Sequence, residues 1–375
     1  AVINESDMLL APDAETAFMD PFGETPTLVM TAGVVDPITR QHYERDPRWI
    51  ARKAEMHLKS TGIADTAYFG AEAEFFIFDN IRFDQNEHSG FYFIDAEEGR
   101  WNCGRELDNL GYRPRYKEGY FPVPPTDHHQ DLRSEMVETM LKCGLNIECH
   151  HHEAATGGQA EIDQRFDTLV KSADNMMVFK YVIRNVAYQY GKTVTFMPKP
   201  LFADNGSGMH THQSLFKDGQ NQFYQANDPY KLSPLAYSFM AGQLQHARAL
   251  AAIVAPTINS YKRLVPGFEA PVYVCWAQIN RSALVRIPRY SPGRESSTRL
   301  ELRCPDPSCN PYLAFAVMLM SGLDGVDRAL QAPEPAEEDL YSLDEAQRQA
   351  RHLEMLPGSL AEALACLAGD AVVRR

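Results

Sequence analysis

Between Phe69 and Asp79 the chain reads Phe-Gly-Ala-Glu-Ala-Glu-Phe-Phe-Ile-Phe-Asp, an aromatic and apolar strand broken only by two glutamates. Period-two geometry puts Glu72 and Glu74 on one face of that strand. An ionised carboxylate buried without a partner costs several kcal/mol or takes up a proton. A bound cation would account for the pair; from this segment alone, a solvated outward face accounts for it equally well.

The other elements place this strand in an α+β fold, an antiparallel β-sheet flanked by helices. Asp46-Pro47 opens a helix that runs to Gly62, and Leu132, Met136, Val137 and Met140 form the apolar stripe of a second ending near Gly144. Further helices are expected from Phe166 to Gly191, from Pro234 to Pro256, after the cap pair Asn310-Pro311, and over Ser359-Leu-Ala-Glu-Ala-Leu. Strands are expected at Tyr68 to Asp79, Leu145 to Glu153, Gln159 to Ile162, Val194 to Met197, Gly208 to Phe216, Val272 to Ile279, Ala283 to Ile287 and Arg299 to Arg303. The Pro- and Glu-rich stretch from Gln331 to Asp339 reads as a surface linker, dividing residues 1–330 from a linker and helical tail at 331–375 that belong to the same domain.

Composition narrows the function classes. A net charge of -14 with no basic run argues against nucleic acid as a partner. Apolar stretches such as Ala249 to Ala255 fall far short of the ~18 residues of a membrane span. Seven cysteines form no CxxC pair, which fits reduced thiols and a cytoplasmic location.

More acidic and cationic groups recur at structured spacings. Glu153 and Glu161 flank a Gly157-Gly158 turn, so a hairpin would bring both carboxylates near one point. His152-Glu153-Ala154-Ala155 is followed by Thr156, which rules out the zinc-protease pattern, and Gly191-Lys192-Thr193 lacks the first glycine of a P-loop. After the Gly206-Ser-Gly208 turn, His210, His212 and Ser214 alternate along one side of a strand. Arg299, Glu301 and Arg303 alternate likewise. They make a surface ion-pair ladder if the strand stands alone, and an anion clamp if it lies beside the other carboxylates.

Taken in order, Phe69-Gly-Ala-Glu-Ala-Glu-Phe-Phe, His151-His-Glu, Asn205-Gly-Ser-Gly-Met-His, Lys262-Arg-Leu-Val-Pro-Gly-Phe-Glu-Ala-Pro and Asn280-Arg-Ser-Ala resemble type I glutamine synthetase over essentially the whole chain. The resemblance implies an ATP-dependent ligase that joins ammonia to the γ-carboxylate of glutamate through a γ-glutamyl phosphate. It implies Glu74, Glu153 and Glu161 as ligands of one Mg2+ or Mn2+, and Glu72, His210 and Glu301 as ligands of a second nearer ATP. Asn205, Gly206, Arg263, Glu269, Arg281 and Arg303 match glutamate-binding positions. Glu148, His212, Ser214, Arg281 and Arg286 match ATP-binding positions. Tyr120 and Glu269 match the ammonium pocket, with Glu269 the proton acceptor and Arg263 and Arg281 beside the reacting groups.

The family also implies a cytoplasmic ring assembly, a dodecamer, and an N-terminal β-grasp domain and extreme C-terminal segment that this chain would lack. Ser296 stands where some members have an ATP-contacting lysine, a role Arg294 or Arg299 could fill. Tyr341 lies where some members are adenylylated. Two rival readings are a ligase of the same superfamily that joins glutamate to a larger amine such as a polyamine, and a non-enzymatic structural relative. The second should have lost metal ligands, and all six are present.

Overall fold

Helix ends in the chain are written in its capping residues. Asp46 accepts a hydrogen bond from Arg48 N at 3.0 Å and starts α1 (Pro47–Thr61), which Gly62 closes at φ 71°. Helices α2 (Gln130–Lys142), α3 (Leu169–Gln189), α4 (Pro234–Val254), the single turn α5 (Ser260–Arg263), α6 (Pro311–Asp327) and α7 (Leu360–Gly369) follow. Ser233, Asn310 and Ser359 cap α4, α6 and α7 with side-chain oxygens. The structure is a computed structural model and describes residues 7–102, 111–338, 340 and 353–374. Asp339, Tyr341, residues 342–352 and Arg375 of the expected linker and tail lie outside them.

The first strands pair locally: β1 (Leu9–Pro12) with β4 (Ala32–Val35), and β2 (Phe18–Met19) with β3 (Leu28–Val29). The main element is a ten-stranded sheet. Its long central strand β5 (Thr66–Phe78) is followed in the chain by a separate exposed hairpin of β6 (Asn80–Gln85) and β7 (Gly90–Asp95), which the sequence reading did not anticipate. The remaining strands of the sheet are β8 (Ile147–His152), β9 (Gln159–Gln164), β10 (Asp167–Thr168), β11 (Thr193–Thr195), β12 (Met209–Lys217), β13 (Gln220–Asn221), β14 (Tyr273–Ala277), β15 (Ala283–Arg286) and β16 (Leu300–Leu302). The strand order is β14-β15-β16-β12-β5-β9-β8.

Period two divides the sheet between core and site. Phe69, Ala71, Ala73 and Phe75 of β5 are buried in the main apolar cluster, where α1, α3, α4 and α6 contribute Leu58, Phe179, Phe239 and Phe315. Glu72 and Glu74 occupy the intervening positions. The sheet is α+β and largely antiparallel as expected, with one departure: β14 and β15 run parallel. The link between them turns back beneath residues 336–338, where Asn280 Nδ2 donates to Ala336 O at 3.0 Å and Glu337 accepts from Gln278 N and Ile279 N at 2.8 and 3.0 Å. On its outer side β14 is covered by the segment at Met355, with Val274 N donating to Glu354 O at 2.8 Å and Leu356 N to Val272 O at 2.9 Å.

Candidate active site

Strand register assembles the site from residues far apart in sequence. His210 of β12 lies opposite Glu72, and Asp163 of β9 lies opposite the same glutamate on its other side. Two residues along β5, Glu74 faces Glu161, which in turn faces His151 of β8. Two residues the other way, Gly70 faces His212, His212 faces Glu301 of β16, and Glu301 faces Arg286 of β15. These three rows share one face of the sheet because they are spaced by two along β5.

The rows open into one pocket. It is lined by Glu72, Glu74, Glu153, Glu161, His210 and Glu301, together with Tyr120, Asn205, Gly206, Arg263, Glu269, Arg281, Arg286 and Arg303. Each group arrives by a local device. Glu153 follows β8, and its carboxylate accepts from Ala154 N at 2.8 Å. The β14–β15 link delivers Arg281. Gly208 is required by close approach, since a Cβ there would sit 2.5 Å from Arg263 Nη2 and 2.9 Å from His210 Nε2. Arg263 spends much of its hydrogen-bonding capacity on the backbone, donating to Cys304 O and Arg303 O at 3.0 Å each.

A second cleft adjoins the first and shares Glu72 with it. Its lining includes Glu148, His212, Ser214, Arg294, Ser296 and Arg299. Asp163 also lines it, and sequence reasoning missed this residue, although the period-two run Gln159, Glu161, Asp163 carried the signal. Gln159 was missed in the same way. It lines the first pocket and its Nε2 donates to Glu74 Oε2 and Gly206 O at 3.0 Å each.

Comparison with known proteins decides the family. The family model described as "Glutamine synthetase, catalytic domain" matches residues 44–375. The chain belongs to the glutamine synthetase catalytic-domain family. The glutamine synthetase of Frankia alni is 56% identical over 370 residues, 98% of this chain and 77% of that protein. The glutamine synthetase of a Nostoc strain is 54% identical over 373 residues, 98% of this chain and 78% of that protein. Among solved structures, Plasmodium falciparum glutamine synthetase superposes with a TM-score of 0.89 at 28% identity, covering 100% of this chain and 80% of that one. A GmaS/ADP complex superposes with a TM-score of 0.80, also at 28% identity, covering 100% and 79%.

Within this glutamine synthetase domain, the donor set fits divalent metal ions. Among the described residues, two groups have ligand atoms close enough to share an ion: Glu72, His212 and Glu301, and His151, Glu153 and Glu161. They overlap the expected sets but exchange two members. Glu74 turns Oε2 toward Gln159 Nε2 and Gly208 N, both at 3.0 Å, so His151 joins the tighter group. His212 is drawn in because its Nε2 lies 2.7 Å from Glu72 Oε1, while Arg299 Nε donates to its Nδ1 at 3.1 Å. His210 Nδ1 stands 4.0 Å from Glu72 and 3.9 Å from Glu301. Burial, aided by Arg303 and Arg263, holds its ring neutral, the form that ligates metals.

The carboxylates are charged unevenly. Burial, reinforced by Glu153, pushes Glu74 up to about 8, and burial with Glu153 and Glu74 also raises Glu161. Burial would raise Glu72 as well, but the His212 contact outweighs it and holds the group at about 2. A carboxyl raised above its ordinary value keeps its proton in the folded state after the unfolded chain has lost it. Stability contributed by Glu74 and Glu161 is therefore present at acid pH and falls as pH climbs through the raised values. Divalent ions compete with those protons. The increase in Tm on adding Mn2+ or Mg2+ is expected to be larger at about pH 8 than at about pH 6, read by scanning calorimetry. Equal gains at both pH values would refute this account of the cluster.

Proposed function

We propose that this chain catalyses ATP-dependent ligation of ammonia to the γ-carboxylate of L-glutamate, giving glutamine, ADP and phosphate. The observation that carries the reading is the convergence of Glu72, Glu74, Glu153, Glu161, His210 and Glu301 on one pocket that also receives Arg263, Arg281, Arg286 and Arg303. Such a constellation suits a reaction between three anionic groups, a carboxylate and two phosphates.

The first pocket would hold glutamate, through Asn205, Gly206, Arg263, Arg281 and Arg303. The adjoining cleft, with Glu148, His212 and Ser214, would hold ATP, and Arg299 stands beside Ser296 where a cation is wanted. Divalent ions at Glu74, Glu153 and Glu161 and at Glu72, His210 and Glu301 would supply Lewis-acid neutralisation of phosphate charge. Hard oxygen donors favour Mg2+ or Mn2+. Arg281 and Arg286 orient and neutralise the transferred phosphoryl group as it passes to the glutamate carboxylate. Tyr120 and the pocket carboxylates attract ammonium, and Glu269 takes its proton so that nitrogen can displace phosphate.

We further assign the chain to type I and to ring assembly, a dodecamer. Identities of 50% to 56% with bacterial glutamine synthetases support the first. The exposed aromatic face of the β6–β7 hairpin, with Phe83 76% and Tyr92 67% accessible, supports self-association. Residues 331–375 are read as completing the same domain, supported by the pairing of the Met355 segment with β14 and by α7 packing on α4.

The deciding experiment compares glutamate-dependent ADP release with ammonia, hydroxylamine and several larger amines. Ammonia should give the highest kcat/KM, with ADP and glutamine formed in equal amounts. A larger amine preferred over ammonia would assign the chain to an amine ligase of the same superfamily.

A further inference from the structure

Next to Glu269, Phe268 makes contacts that no role assigned above explains. Lys199 Nζ lies 3.7 Å from the centroid of its ring and Lys117 Nζ lies 4.0 Å from it. Lys117 also donates to Gly267 O at 2.8 Å, and Lys199 donates to Asp204 O. Among the described residues, the hydrogen-bond and ring partners of both ammonium groups are carbonyl oxygens and aromatic rings. Lys199 is only 8% exposed, and burial pulls its ammonium down to about 8 against the opposing charge of Asp204. Its backbone is fixed as well, with N donating to Asn259 Oδ1 at 2.6 Å and O accepting from Asn259 Nδ2 at 3.0 Å.

Three loops therefore meet at one ring. Lys117 belongs to the loop that carries Tyr120, Lys199 to the one that leads into Asn205 and Gly206, and Phe268 to the one that carries Glu269. That last loop is conformationally demanding: Gly267 has φ 86° and Glu269 φ 59°. A glutamate holds a left-handed backbone only where its surroundings over-determine it. The Phe268 contacts supply that constraint from the residue next to Glu269, itself part of the pocket wall.

We propose that Phe268, Lys117 and Lys199 form a cation–π clasp that positions the Glu269 loop and holds it shut while the acyl phosphate awaits ammonia. The proposal rests on the ligase reading and adds three positioning residues to it. Attraction between a cation and a ring face strengthens when water is excluded, and opening the loop would leave the buried Lys199 ammonium without its ring. The clasp thus favours the closed loop, in which water is kept from the reactive anhydride.

The test uses the assembled, metal-loaded enzyme and two single variants, Phe268→Leu and Lys117→Met, with Phe268→Tyr as the conservative control. In the wild type, ADP released with glutamate and ammonium should match glutamine formed. In the two disrupting variants, uncoupled ADP release should rise about tenfold, the size expected for losing one or two such contacts. Phe268→Tyr should restore coupling. Amide hydrogen exchange over residues 264–270 of the metal-free protein should quicken in the same two variants and return to normal in Phe268→Tyr. Coupling and exchange that stay at wild-type levels in both disrupting variants overturn the clasp. A wild-type enzyme without glutamate-dependent ADP release would overturn the ligase reading and the clasp with it, a result distinct from an active wild type with silent variants.

Discussion

Glutamine formation by a Glu269→Ala variant is expected to fall about 10²–10⁴-fold while glutamate-dependent ADP release persists. Glu269 lines the pocket from a loop outside the sheet, whereas the carboxylate rows and Arg286 lie on the strands themselves. In the proposed mechanism, phosphoryl transfer to glutamate draws on the second set. Attack by nitrogen needs ammonium to lose a proton, and Glu269 is the side chain proposed to accept it. Removing the carboxylate should therefore divide the reaction, leaving an acyl phosphate that forms and then hydrolyses. Isotope exchange between the β-γ bridging and non-bridging oxygens of ATP, measured beside glutamine production, separates the two halves. Parallel loss of both would remove Glu269 from its proton-accepting role.

Glu301→Gln should be damaging in two respects. Glu301 has no exposed surface; it accepts from Arg303 Nη1 at 3.0 Å and pairs with Arg286 Nε. A neutral amide there leaves two guanidinium groups facing one another without an intervening charge. Breaking a buried pair by removing one partner costs about 3 kcal/mol or more, and the urea unfolding midpoint should drop accordingly. Turnover should fall by about 10³-fold, because Glu301 Oε1, 3.9 Å from His210 Nδ1, faces the groups that would bind nucleotide-side metal. A variant with a lowered midpoint that still turns over near the wild-type rate would show that Glu301 is only a salt-bridge residue, and an unchanged midpoint would refute the stability claim.

The parts of this site that the sequence displayed were those governed by local geometry. Glu72 with Glu74, and His210 with His212, were legible because side-chain alternation in a strand depends on nothing outside the strand. Helices were legible from Asp46-Pro47 and Asn310-Pro311, whose caps act within three residues. What the sequence hid is set by pairing between distant segments. Nothing local says that Glu301 stands opposite His212, or that Asp163 shares a row with Glu72. The parallel course of β15 was hidden for the same reason, since its cause is the anchoring of Asn280 under residues 336–338. The family resemblance gave Glu269 a role and included Phe268 only as a letter of its motif, because the partners of that ring arrive from loops more than 60 residues away in the chain.

The pairing of the Met355 segment against β14 bears on how such a chain is made. During synthesis every residue of the sheet leaves the ribosome before this segment does. Until it docks, β14 presents unpaired amide and carbonyl groups along with Tyr273 and Cys275, which are buried in the finished fold. The nascent protein thus passes through an interval in which its own rim is adhesive toward other unfinished copies. Shielding by chaperones would matter most in that interval.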